Sequence, residues 1–408
     1  MSTLKVDNIR HNSATSDAIT MASDGTCTAK ITGMTGGGGL SHRNLLINGD
    51  MQISQRGNLT VSNSNASRQY GGPDRFHQYY YSSGEEARYN FNQGGFNDSP
   101  FEQGFTNVAH IDVTTADTSI HQDHAIWTSQ RVEAYNASHL KYGHSDAVSV
   151  TLSFWIKSTI TGTYSICYNH TNMDERYITT YTVNVANTWE KKTITIPGDT
   201  RAGKNISPSN GYGLEVKWVW MSGTNRIGNP NEWATQGNKY GSQGVTLANI
   251  FSSTSNNLYL TGCQLEVGDT ATSFEHRSYE EVLSRCQRYY YMHHNTSKTG
   301  TEGNYRVACL GFASQATEVT GHIFFPVTMR ANPSIDANSG VVGGIGYWRI
   351  GGGSFGGDKY IDGAWSVASP TTRSTRIYAT PRVSLSQGVC GYIDGRNTAS
   401  YMAFSAEL

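Results

Sequence analysis

Apolar and polar residues alternate with a period of two through much of this chain. Val148, Val150, Leu152, Phe154 and Ile156 hold one such phase. Leu214, Val216, Trp218 and Trp220 hold another, with Glu215, Lys217, Val219 and Met221 between them. Side chains of a strand point alternately to its two faces, so this spacing predicts strands with one face in a core and the other polar or interfacial. Thr188–Ile196, stopped by Pro197-Gly198, reads as a further strand, and Leu258, Leu260, Cys263, Leu265 and Val267 take the apolar positions of another. Trp155, Trp218 and Trp220 lie in strand phase and are expected to be structural. One helix is predicted, from Tyr279 to Arg288. Ser278 with Glu281 three residues later forms a capping box, and Val282, Leu283, Cys286 and Tyr290 make its apolar stripe.

The pattern divides the chain into four parts. Residues 1–39 hold short strand-like pieces around Leu4–Ile9, Ile19–Met21 and Thr26–Gly33, with too few apolar residues for a core, and end in a hinge of glycines at 36–39. Residues 40–277 read as a β-sandwich of jelly-roll type. Residues 278–291 carry the linking helix, and residues 292–408 a second, sandwich-like β module. Its strands are expected near Tyr305–Phe312, His322–Val327, Val341–Ile350, Arg376–Val383 and Ser400–Phe404. The glycine cluster at 351–357 precedes a strand-like Asp358-Lys359-Tyr360-Ile361 and lacks a following helix, so it reads as a turn and not as a phosphate cradle.

Composition agrees with an all-β protein: 44 Gly, 24 Tyr and only 15% charged residues in 408. A net charge of −1 leaves no footprint for nucleic acid or anionic membrane. No apolar run is long enough to cross a bilayer and no signal-peptide core opens the chain, so a soluble protein outside the general secretory route is expected. Six cysteines without metal-ligand spacing are expected to be buried and reduced, as suits assembly in a bacterial cytoplasm. His121-Gln-Asp-His124 and His293-His294 lack the spacing of a metal site, and no nucleophile elbow or zincin motif is present. No cofactor, metal or enzymatic activity is expected.

The stretch Leu260-Thr-Gly-Cys-Gln-Leu-Glu-Val-Gly-Asp-Thr-Ala-Thr-Ser-Phe-Glu-His-Arg-Ser-Tyr, continued by Cys286-Gln-Arg-Tyr-Tyr-Tyr291, resembles the junction signature of bacteriophage tail-fibre and virion-appendage proteins, and residues 1–35 resemble the short β-segments of marine phage fibres. It departs from that signature at Cys263, where valine is usual, and at Ser273, where proline is usual. Asn44–Gly57 resembles the opening strand of the same module and of carbohydrate-binding jelly rolls. Phe325–Pro333 and Ala403–Leu408 resemble the distal module. The resemblance implies a homotrimeric virion appendage, joined to other virion proteins by residues 1–39, and most simply a tail fibre that binds a host-surface glycan. A head-vertex fibre, decoration protein or tail adaptor without a receptor role is the alternative, and a surface-polysaccharide hydrolase a further one.

Sugar rings pack on exposed aromatic side chains, so aromatics near loops are the candidate glycan contacts: Trp233, Tyr240, Tyr347, Trp348, Tyr360 and Trp365. Leu4, Val6, Ile9 and Ile31, with Val282, Leu283 and Cys286 of the helix, are apolar residues in pieces too small to bury them, and are the candidate trimer contacts.

Overall fold

A computed structural model describes residues 6–10, 19–21, 23, 27–29, 43–62, 68–81, 87–170, 174–295, 306–342, 345–352, 355, 357–395 and 400–408. The predicted all-β class holds: strands in several antiparallel sheets build the chain, and Tyr279–Gln287 is the one α-helix among the described residues.

Two sheets face each other in the first module. One has six strands, in the order Glu190–Ile196, Val150–Ser158, Asn257–Val267, Val108–Thr115, Arg88–Gly94 and Leu59–Val61. The other has seven, in the order Trp233–Thr235, Glu175–Val183, Gly162–His170, Tyr212–Ser222, Ala125–Glu133, His77–Tyr81 and Arg68–Tyr70. Leu152, Phe154, Ile156, Leu260 and Leu265 from the first meet Val216, Trp218, Trp220, Ile166 and Tyr168 from the second, all buried in a single core. The apolar phase that slips between Leu260 and Cys263 marks a β-bulge: Gly262 sits at φ 60° and the pairing with the neighbouring strand shifts between Ser153 and Trp155. Val267, expected inside, is exposed.

The expected opening strand at 44–57 is not a strand. Leu59–Val61 is the first strand of the module, and the preceding segment is tied down by side chains instead. Asn44 Nδ2 donates to Cys263 O, while its Oδ1 accepts from the backbone of Leu46 and Leu265, taking the place of a strand neighbour. Gly49 is required there because a Cβ would fall 2.0 Å from Cys263 O.

The helix begins as predicted, with Ser278 Oγ accepting from the Glu281 amide at 3.3 Å. Val282 and Cys286 are buried against Ile53, with Ile47 and Leu283 beside them. The helix thus docks on its own chain, and the unfilled apolar stripe that made Val282, Leu283 and Cys286 candidate trimer contacts is absent. Asn8–Ile9, Ile19–Met21 and Cys27–Ala29 form a small antiparallel sheet, and Ile9 on it and Val6 just before it are exposed; Leu4, Ile31 and the glycine hinge lie outside the described residues.

The second module joins a three-stranded sheet (Tyr290–Asn295, Tyr401–Ser405, Ser334–Ala337) to a seven-stranded one. The latter runs Lys359–Ile361, Trp348–Gly351, Cys390–Gly395, Arg306–Gln315, Glu318–Phe324, Ser374–Ala379, Ser366–Ala368. Cys390–Gly395, near its centre, was not predicted. Its core-facing positions are Gly391, Ile393 and Gly395, and the glycines hide the apolar alternation. A Cβ on Gly391 would lie 2.3 Å from Gly351 O, so the close strand packing demands glycine.

The two modules are clamped by the chain's last residues. Glu407 accepts from Arg75 and from Arg56, Tyr70 donates to Leu408 O, and Arg75 lies 3.4 Å over the ring of Tyr289. Arg288 makes two hydrogen bonds to the buried Glu133, which Tyr289 also reaches.

Candidate functional site

The outer face of the first module's seven-stranded sheet is not a solvated polar surface. Strand register lays its side chains out in rows. One row runs Arg68, Tyr79, Trp127, Val219, Ser165; the next Tyr70, His77, Ser129, Lys217, Cys167, Ile178; the third Arg131, Glu215, Asn169, Arg176. These residues alternate with Ile126, Thr128, Val216 and Trp218, which point into the sandwich, so period two alone sends them outward. Yet Trp127, Arg131, Arg176, Glu215 and Lys217 are all below 7% exposed. The segment from Gly223 to Gln243 folds back over the sheet and closes them in. The Tyr240 amide bonds Arg226 O at 2.6 Å and the Arg176 guanidinium donates to Lys239 O at 2.8 Å, holding that segment in place.

Between the cover and the sheet lies a cavity of about 370 Å³. Three rings line it. Tyr79 stacks on Trp127 at 4.1 Å and 11°, and Tyr240 packs against the same indole at 4.4 Å. Beside the rings runs a polar network. Glu215 accepts from Ser129 Oγ at 2.8 Å and from Lys217 Nζ at 2.9 Å, with Arg131 Nε at 3.4 Å. Lys217 also donates to Asn169, which is bonded to Tyr212. Arg68, Asp174 and Asn238 stand exposed at the rim.

Burial alone would raise the Glu215 pKa, but Lys217 and His77 overcome it and hold the carboxyl well below its usual range. Burial lowers Lys217 and His77 in turn, more than Glu215 restores them. Two donors in this site have no partner among the described residues: Trp127 Nε1 and Arg176 Nε. Buried donors are nearly always satisfied, so water or a ligand in the cavity would be expected to meet these two.

Ser129, His77 and Glu215 touch, but not as a nucleophilic relay. His77 Nε2 lies 2.9 Å from Ser129 Oγ and 3.4 Å from Glu215, so the carboxylate and the hydroxyl share one ring nitrogen. A triad needs the acid on the other nitrogen, and here Ser129 donates directly to Glu215. A larger cavity of about 520 Å³ at the module junction is lined by Glu133, Arg288 and Tyr289, whose polar groups already satisfy one another. Among the described residues no three His, Cys, Asp or Glu side chains gather as metal ligands would.

Of the six aromatics singled out in the sequence, the structure brings only Tyr240 into the cavity. Trp348 is fully buried, donates from Nε1 to Asn338 O at 2.9 Å and packs edge-on against Trp365, which is also buried. Both are core residues of the second module and present no platform. Tyr347 is half-buried against that core, and Tyr360 is half-buried under the guanidinium of Arg382. Trp233 begins an edge strand, donates to Pro197 O at 2.7 Å and packs on Tyr142, Tyr168, His170 and Tyr177, plugging the sandwich edge. Trp127 and Tyr79 were missed. The odd positions of Ala125–Glu133 do place Trp127, Ser129 and Arg131 on one face, but nothing local separates a covered outer face from a core face.

No family model matches the chain, and no curated protein matches it in sequence. Solved structures similar to it include the enzymatically active domain of bacteriophage CBA120 tailspike protein 4, at 11% identity over 55% of this chain and 21% of that one, TM-score 0.27. Two others are a family 11 carbohydrate-binding module from Clostridium thermocellum in complex with a mixed-linked tetrasaccharide (12%, 53% and 98%, TM-score 0.25) and a family 30 carbohydrate-binding module (10%, 55% and 95%, TM-score 0.23). The match spans about a fifth of the tailspike chain. The two-sheet architecture rests on the strand pairing described above.

Proposed function

We propose that this chain is a subunit of a phage virion appendage, a tail fibre in the simplest case, whose first module binds a host-surface glycan in the cavity between Tyr79, Trp127, Tyr240 and the Glu215–Lys217 network. The observation that carries the binding site is the pair of unsatisfied donors, Trp127 Nε1 and Arg176 Nε, beside a row of aromatic rings in an open cavity. Glycan sites combine these elements: an aromatic surface for the C–H face of the ring and fixed polar groups for its hydroxyls. At about 370 Å³ the cavity is at the lower end of the roughly 300–1,000 Å³ usual for small-ligand sites. The junction sequence from Leu260 to Tyr291 supports placement in a virion, with residues 1–39 joining it there.

Binding without hydrolysis is part of the proposal, because Glu215 is tied to Lys217 and held ionised, so it is unsuited to general-acid work. A homotrimer is favoured by the second module, where Leu310 and Phe324 are 80% and 76% exposed on one sheet with Val307 and Phe312 nearby, a surface that further copies of the chain would cover. Three sites per particle arm then add by avidity.

The test is binding of the full chain to an array of neutral and acidic bacterial-surface oligosaccharides, with Tyr79→Ala and Trp127→Ala as variants. Ligand retention that falls about tenfold or more in Tyr79→Ala, with no reducing ends released by the parent protein, is the expected result. Retention unchanged in both folded variants would move the site elsewhere, and release of reducing ends would make the protein a hydrolase. Labelling of purified virions at the tail, at the head, or not at all tests the placement.

A further inference from the structure

We infer that the sugar bound in this cavity is anionic, carrying a carboxylate or a sulfate ester that pairs with Arg176. This rests on the glycan-binding reading above and goes further in naming the ligand's charge.

The inference follows from an imbalance in the cavity lining. Arg131, Arg176 and Lys217 are buried cationic side chains, and Glu215 is the one buried carboxylate among the residues lining the cavity, so 3 − 1 leaves an excess of two positive charges. At the rim Arg68 and Asp174 cancel. Were Lys217 to give up its proton, Arg131 would still balance Glu215 and Arg176 would remain, because a guanidinium does not deprotonate in a protein. An excess of at least one persists in either case.

Arg176 is where that excess is concentrated. Its side chain is 3% exposed, lies with Cζ 4.4 Å from the Tyr240 ring centroid, donates through Nη1 to the Lys239 carbonyl, and otherwise has only the neutral side chains of Tyr240 and Cys167 as hydrogen-bonding neighbours. It has no carboxylate partner among the described residues, and its Nε is unsatisfied. An unpaired buried charge is strongly unfavourable, so such a group persists where a ligand supplies the counter-charge. A planar guanidinium suits a carboxylate or sulfate, to which it can present two parallel donors. Trp127 Nε1, orphaned in the same cavity, would take a neighbouring ring hydroxyl or a second acid oxygen.

The test is titration calorimetry of the full-length protein with an oligogalacturonate tetrasaccharide, a heparin-derived sulfated tetrasaccharide and neutral cellotetraose. At least one acidic probe is expected to bind tenfold or more tighter than the neutral one. A preference for galacturonate assigns the anion as a carboxylate, and a preference for the heparin fragment assigns it as a sulfate ester. Arg176→Gln should abolish the preference, Arg176→Lys should keep part of it, and Trp127→Phe should weaken all binding without changing the preference. Should Arg176→Gln fail to fold, salt provides a measurement on the unaltered protein, since only acidic-probe affinity should fall as ionic strength rises. Equal, salt-insensitive binding of neutral and acidic probes overturns the anionic assignment and leaves the glycan reading standing. No binding of any of the three probes overturns both.

Discussion

Glu407→Ala tests the clamp between the modules. Glu407 is 6% exposed and Arg75 2%, so their ion pair is shielded from solvent and from salt. Arg56 makes a second bond to the same carboxylate at 3.1 Å. Removing the carboxylate leaves the Arg75 guanidinium buried between the Tyr289 ring and the Arg131 carbonyl with its charge uncompensated. Breaking one side of a buried pair costs about 3–5 kcal/mol. At roughly 4 °C per kcal/mol for units of this size, the unfolding midpoint should fall by about 12–20 °C. Calorimetric scanning reads the midpoint, and limited proteolysis reads whether residues 292–408 become the first part cleaved. The double variant Arg75→Met with Glu407→Leu removes both charges and should recover most of the loss, since apolar replacement of a whole buried pair is close to neutral. A shift below about 3 °C in the single variant would refute the reasoning, as would a double variant as unstable as the single one.

Three further outcomes are expected. Trp348→Ala should destabilise the second module by about 3–5 kcal/mol in denaturant titration, because its fully buried indole fills that core, while glycan binding by the still-folded first module is unchanged. Stability should decline as pH falls below about 6.5, because burial lowers the pKa values of His77 and His170 from 6.5 and the unfolded chain takes up protons first. A second loss should follow at lower pH as Glu215, whose folded pKa is depressed, is finally protonated; unfolding midpoints that stay flat from pH 7.5 to about 5.5 would contradict the assignment of neutral buried imidazoles. Deleting residues 1–39 should leave the remainder folded, because neither described core draws on that segment, and should remove the protein from purified virions.

Several features of this protein are local and were therefore legible in its sequence. Period-two alternation identified the strands at 150–158, 212–222 and 257–267, because each side chain's face follows from its parity. Ser278 and Glu281 started the helix where the capping geometry places it, since the bond spans only three residues. The phase slip between Leu260 and Cys263 was visible too, and Gly262 explains it.

What lies across strands was decided by the tertiary structure. Parity sent Glu215 and Lys217 outward, but only the folding back of residues 223–243 turned that outer face into a covered cavity. Tyr79, Trp127 and Arg176 come from three separate strands whose places are set by register, and Tyr240 from the segment folded over them, an arrangement that no single segment encodes. Trp348 fell at the end of an expected strand beside a glycine-rich turn and so was read as a possible glycan contact, yet that strand pairs with Cys390–Gly395, whose own glycines concealed it as a strand. Val282 and Cys286 looked unpartnered because Ile53, which covers them, lies more than two hundred residues earlier in the chain. Alternation is a property of one strand, whereas burial and charge balance are properties of the residues that other segments bring alongside it.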